Sequence, residues 1–128
     1  MAKQFINPES LPRGGRATQI VKTGNTIYIS GQVSSEESGK LVGEGDPEVQ
    51  ARQIYKNISE ALKAVGGTMA DIVKTTIYVT NRDYFQAVGK VRQEIWREKP
   101  PANTAVVVSG LVNPTYLIEV DAIAVIDN

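Results

Sequence analysis

The 128-residue sequence predicts an α+β fold in which a sheet carries two helices layered on one face. Two segments repeat apolar residues at helical spacing between clear start and stop signals, whereas the runs around them are short and β-branched. Their order is hairpin, helix, strand, helix, strand, strand.

Asn7 to Arg16 holds two prolines, two adjacent glycines and two arginines, the composition of an irregular leader. It reads as a solvated loop, or as a loop that brings Arg13 or Arg16 over a neighbouring cleft. Thr18 to Lys22 and Thr26 to Ser30 are β-rich runs separated by Thr23-Gly24-Asn25, a connection that closes a tight hairpin. The second run leads into Ser30-Gly31-Gln32. There the glycine is either a bulge or a place where backbone N–H groups meet an anionic ligand. Val33 to Gly45 is rich in Ser, Glu and Gly, an exposed loop with a short edge strand expected near Leu41-Val42.

Asp46-Pro47-Glu48 starts a helix, with a capping carboxylate, proline at the first helical position and an acid that complements the helix dipole. Ala51, Ile54, Tyr55, Ile58, Ala61, Leu62 and Val65 form its apolar stripe, and Gly66-Gly67 ends it. Arg52, Lys56, Asn57, Glu60 and Lys63 are expected on its solvated face. Ile72 to Thr80 is a strand by residue type. Asn81-Arg82-Asp83 follows it, with Asp83 expected to cap a second helix carrying Tyr84, Val88, Val91, Ile95 and Trp96. Pro100-Pro101 stops that helix. Thr104 to Ser109 is apolar on both faces at Ala105 to Val108, so both faces should be covered. Tyr116 to Ile126 is the last strand, apolar at its even positions and mixed at Leu117, Glu119, Asp121, Ile123 and Val125. With both helices on one face, the other face calls for a second copy of the chain.

The composition narrows the function. The chain contains no cysteine and no histidine, which excludes a disulfide frame, a thiolate nucleophile, a serine triad and the commonest metal ligands. A formal net charge of zero gives no electrostatic pull towards nucleic acid or anionic membrane. The N-terminus lacks a signal-peptide core and no window has the roughly 20 apolar residues of a membrane span, so a cytoplasmic protein is expected. We expect no metal, no cofactor and no nucleic-acid partner.

Several motifs then agree in order and spacing: Gly24-Asn25 leading to Ile29-Ser30-Gly31-Gln32, Gln50-Ala51-Arg52-Gln53, Asp71-Ile72-Val73-Lys74-Thr75-Thr76, and Pro101-Ala102 followed by Ile118-Glu119-Val120. Together they resemble the Rid family of reactive-intermediate deaminases, also called the YjgF family, from about Asn7 to Val125. The resemblance implies a chorismate-mutase-like fold and a homotrimer whose sheets form a central barrel, with clefts between subunits. It implies hydrolysis of imines and enamines released by pyridoxal-phosphate enzymes, giving a 2-oxo acid and ammonia.

It also implies roles for single residues. Ser30 stands where the family's pocket serine stands, and Glu119 matches its water-positioning glutamate. The position of the carboxylate-binding arginine is Asn103, and that of the pocket tyrosine is Ala17. An asparagine amide cannot offer the bidentate fork of a guanidinium, so a substrate other than 2-aminoacrylate is expected unless Arg13 or Arg16 compensates. The candidate site is therefore Glu119 as the catalytic group, with Ser30, Gly31, Asn103, Ala105, Ala17 and Arg16 around a small-molecule substrate. The alternative is a trimer that kept the cleft for binding a small molecule or protein and lost the chemistry. RNA cleavage has little support without histidine or a basic aromatic patch.

Overall fold

A computed structural model of the chain describes residues 2–12 and 17–127. The strands are β1 (Lys3–Ile6), β2 (Ile20–Thr23), β3 (Thr26–Gln32), β4 (Ile72–Val79), β5 (Ala102–Val107) and β6 (Ile118–Val125), and the helices are α1 (Pro47–Lys63) and α2 (Phe85–Ile95). They form one mixed six-stranded sheet in the order β1-β2-β3-β6-β4-β5, antiparallel throughout except for β4 with β5. Each helix crosses between strands that run the same way, α1 from β3 to β4 and α2 from β4 to β5. Such crossovers place helices on a sheet face, here the same face for both.

Local chemistry sets the starts and stops. Thr23 pairs with Thr26 across Gly24-Asn25, and Gly24 takes φ +60°, the left-handed value that a two-residue hairpin loop with glycine first requires. The Asp46 side chain accepts from the Val49 N–H, with Pro47 opening α1, as the sequence predicts. Asn81, not Asp83, caps the turn before α2: its Oδ1 accepts from the Asp83 N–H at 2.9 Å. An Asx side chain two residues back from a free N–H serves this purpose, and Asp83 already lies inside the turn.

The core lies between the helices and one sheet face. Ile20, Ile27, Ile77, Val79, Ile118 and Val120 meet Ile54, Ile58 and Leu62 of α1 and Val88 and Val91 of α2, all of them buried. Each large apolar side chain so buried contributes about 1.5–3 kcal/mol. Trp96 closes one end as the core anchor its sequence position suggests. It stands edge-on to Tyr55 at 5.9 Å and donates from Nε1 to the Met69 carbonyl at 3.0 Å.

Other expectations are corrected. Lys3–Ile6 is a strand, paired with β2. Near Leu41 there is only an isolated bridge to Ser35 rather than an edge strand. The last strand starts at Ile118 rather than Tyr116, and β3 continues to Gln32 with a register shift between Ile29 and Gln32. Asn57 is not on a solvated face: it is buried, and its Nδ2 donates to the carbonyls of Val33 and Ser35. β5, expected to be covered on both sides, is the exposed edge of the sheet in a single chain.

Gln50 is the second buried polar anchor of α1. Its Nε2 donates to the Gly43 and Thr115 carbonyls, and its Oε1 accepts from the Leu117 N–H at 3.0 Å. Gln50→Ala strands these backbone groups at a fully buried position. We expect a loss of about 3 kcal/mol in denaturant unfolding, against a change near zero for the exposed Gln93.

Candidate functional site

Alternation along β6 puts its even positions in the core and its odd positions on the open face of the sheet. Glu119 and Asp121 therefore point the same way, beside Tyr78, which lies opposite Glu119 in the register with β4. Tyr78 donates to Asp121 Oδ2 at 2.9 Å, and this hydrogen bond, followed by burial and nearby negative charge, pushes its phenol up.

Glu119 is half-buried, and among the described residues no donor and no cation meets its carboxylate. Desolvation, and then the charge of Asp121, push its carboxyl above the ordinary value. Gly31 makes room for it. A Cβ at Gly31 would overlap the Glu119 carboxylate, with Cδ only 2.8 Å away. The register shift between Ile29 and Gln32 is the bulge expected at Gly31, and the absence of a side chain there seats the acid. Gly31→Ala should displace that flexible side chain, leaving the melting temperature within a few degrees. We expect it to lower activity about tenfold through the misplaced carboxylate, as parallel thermal and kinetic measurements would show.

Ser30 shares this face. Its hydroxyl donates to the Thr18 carbonyl at 2.5 Å, so its lone pairs remain for an incoming donor. Ser30, Gly31, Asp121, Thr18, Tyr28 and Ile123 line a shallow depression of about 310 Å³, with Glu119 beside Gly31. Ala17 is exposed next to Thr18. Arg13 and Arg16 lie outside the described residues.

Asn103 and Ala105 are elsewhere. They pair with Thr75 and Ile77, the core-facing residues of β4, and so lie on the helix side of β5. Ser30 and Glu119 occupy the other side, and β3 is three strands from β5, about 14 Å at ordinary strand spacing. One chain brings Glu119, Ser30 and Gly31 together, but not with Asn103 and Ala105. Asn103 is nevertheless held: its Oδ1 accepts from Thr75 Oγ1 at 2.8 Å, and Thr75 Oγ1 accepts from Arg92 Nη1 at 2.9 Å.

The sequence reading missed Asp121, Tyr78, Thr75 and Arg92 as companions of the site. For the first two the signal was present, since Asp121 is two residues from Glu119 on the same strand face. For Arg92 there was none: an arginine in an amphipathic helix reads as solvated surface. Among the described residues no cluster of acidic side chains could hold a metal ion, and no helix is long and apolar enough to cross a membrane.

A family model described as endoribonuclease L-PSP matches residues 10–126. A RutC family protein of Pyrococcus abyssi is 36% identical over 97% of this chain and 98% of its own. The human 2-iminobutanoate/2-iminopropanoate deaminase is 36% identical over 87% of this chain and 80% of its own. A crystal structure of a protein of unknown function from the conserved Rid protein family, YyfA of Yersinia pestis, superposes with a TM-score of 0.91 at 34% identity, covering 98% of this chain and all of the other.

Proposed function

The chain belongs to the endoribonuclease L-PSP family, which includes the Rid and YjgF proteins, and from that premise we propose that it is a hydrolytic deaminase of small reactive imines. Deaminases of 2-imino acids among its relatives support the reaction class. The observation that carries the reading is the half-buried Glu119 carboxylate seated against Gly31, with no partner among the described residues. An acid whose proton affinity is raised by burial gives and takes protons more readily than an ordinary surface carboxylate.

In this reading water adds to the carbon of the protonated imine while Glu119 takes one of its protons, giving a neutral carbinolamine. Glu119 then gives that proton to the nitrogen and takes the remaining hydroxyl proton as the C–N bond breaks and the carbonyl forms. The departing ammonia carries this last proton away, so the products are one 2-oxo compound and one ammonium ion, and Glu119 is again ionised. Ser30 and the backbone near Gly31 and Ala105 hold the substrate, Ala17 lies at the rim, and Asn103 donates to a substrate oxygen.

These groups lie on two faces of one sheet, so the site is proposed to form between copies in a cytoplasmic homotrimer. The exposed β5 edge, with Val106 and Val107 uncovered, supports this assembly. Asn103, at the position where the resemblance implies arginine, favours a second reading: a trimer that binds a small metabolite without converting it.

One experiment separates the two. An amino acid oxidase acting on alanine releases 2-iminopropanoate in situ, and the appearance of 2-oxo acid and ammonia is followed with and without the protein. Acceleration above spontaneous hydrolysis is expected, but weaker than an arginine at position 103 would give, because 2-iminopropanoate is the imine tautomer of 2-aminoacrylate and the Asn103 amide offers its carboxylate no bidentate fork. Binding detected by thermal shift without acceleration contradicts the deaminase reading.

A further inference from the structure

We propose that Arg92 and Thr75 are positioning residues that hold the Asn103 amide with its N–H groups turned outward at the β5 edge, where they select a substrate carboxylate. The inference deepens the deaminase reading and rests on it for the identity of the substrate.

The orientation follows from counting protons. Thr75 is fully buried, and its hydroxyl has one proton to give. Arg92 Nη1 reaches Thr75 Oγ1 at 2.9 Å, and a guanidinium only donates, so the hydroxyl oxygen accepts there. The remaining hydroxyl proton is directed to Asn103, 2.8 Å away, which must present its oxygen. An amide engaged through Oδ1 has Nδ2 on its other branch. Asn103 is exposed on an edge strand, so that branch offers its donors to whatever docks there.

The charge behind the amide favours an anion. Arg92 is held by the Trp96 ring, 4.9 Å from its guanidinium carbon, and by the Tyr55 hydroxyl at 3.4 Å. Among the described residues no carboxylate pairs with it, unlike Arg52, which grips both Glu48 and Glu94. Lys74 adds a second cation at the same end of β5 on the opposite face, its Nζ donating to Thr104 Oγ1 at 2.7 Å. A neutral side chain thus stands in the field of two cations that pair with no acid among the described residues. That field suits a carboxylate better than an amide oxygen.

The test uses the full chain, labelled with ¹⁵N, as wild type and as Thr75→Ser, Thr75→Val and Arg92→Met. The readouts are the Asn103 side-chain amide resonances, their response to added pyruvate, and KM and kcat for 2-iminopropanoate. Thr75→Ser should match wild type. Thr75→Val should move the Asn103 amide signals and raise KM about tenfold with kcat little changed, the loss of one hydrogen bond to a charged group. Arg92→Met leaves the buried threonine in place and should weaken pyruvate binding to a similar extent.

Asn103 signals unmoved by Thr75→Val, or unresponsive to pyruvate in wild type, would overturn the proposal. If the wild type bound pyruvate through Asn103 but did not turn over 2-iminopropanoate, the positioning would stand and the deaminase reading would fall.

Discussion

Replacing Glu119 with glutamine is expected to lower turnover of 2-iminopropanoate about a hundredfold or more, the usual yield of a placed acid–base group, while stabilising the fold at neutral pH. The two effects have one cause. Burial and Asp121 raise the Glu119 carboxyl above its ordinary value near 4.5, so the folded state holds this proton more tightly than the unfolded state does. Its contribution to stability is therefore complete below about pH 4.5 and is lost as pH rises through the raised value. At neutral pH the ionised carboxylate costs stability, and glutamine removes that cost. Melting temperatures measured from pH 4 to 8 should fall with pH for the wild type relative to Glu119→Gln. Converging curves towards neutrality, or an active glutamine variant, would show that the acid is an ordinary surface group.

The second large effect concerns assembly. Val106 and Val107 are 38% and 49% exposed on an edge strand, so replacing both with lysine should cost one chain little. A second copy packed on that edge would have to bury the added charges. We therefore expect the double variant to sediment as a folded 13.9 kDa monomer, with activity reduced more than a hundredfold, while the wild type sediments as a trimer. A wild type that is monomeric at micromolar concentration, or an active monomeric variant, would remove the intersubunit site.

The sequence revealed those parts of the fold that depend on local chemistry. Asp46-Pro47 and the stripe from Ala51 to Leu62 place α1, because capping and helical periodicity are properties of neighbours. Lys3–Ile6 was invisible as a strand. It is four residues long, Phe5 is 66% exposed, and its pairing with β2 spans the leader loop. Asn57 and Gln50 look like solvated helix residues until the backbone carbonyls they satisfy are brought to them from distant loops. Likewise, β5 reads as a covered strand because Ala105 to Val108 is uniformly apolar, yet one chain leaves it bare. The apolar run was informative; in the proposed assembly its cover is a second copy.

Of the site, Glu119 was singled out by the family resemblance, and Gly31 was legible as a bulge or a close approach whose partner was unknown. Asn103 was legible as a position but not as an orientation. What holds it, Thr75 and Arg92, comes from a neighbouring strand and a helix and leaves no trace in the local pattern.

The central claim is that Glu119 of one copy and Asn103 of another complete a single hydrolytic site, and subunit mixing tests it directly. Glu119→Gln and Asn103→Asp homotrimers should each be nearly inactive on 2-iminopropanoate, the latter because a carboxylate now faces a carboxylate. When the two are dissociated together in mild denaturant and reassembled, some interfaces carry both native residues, and activity should return to a substantial fraction of wild type. A mixture no more active than its parents would contradict the account.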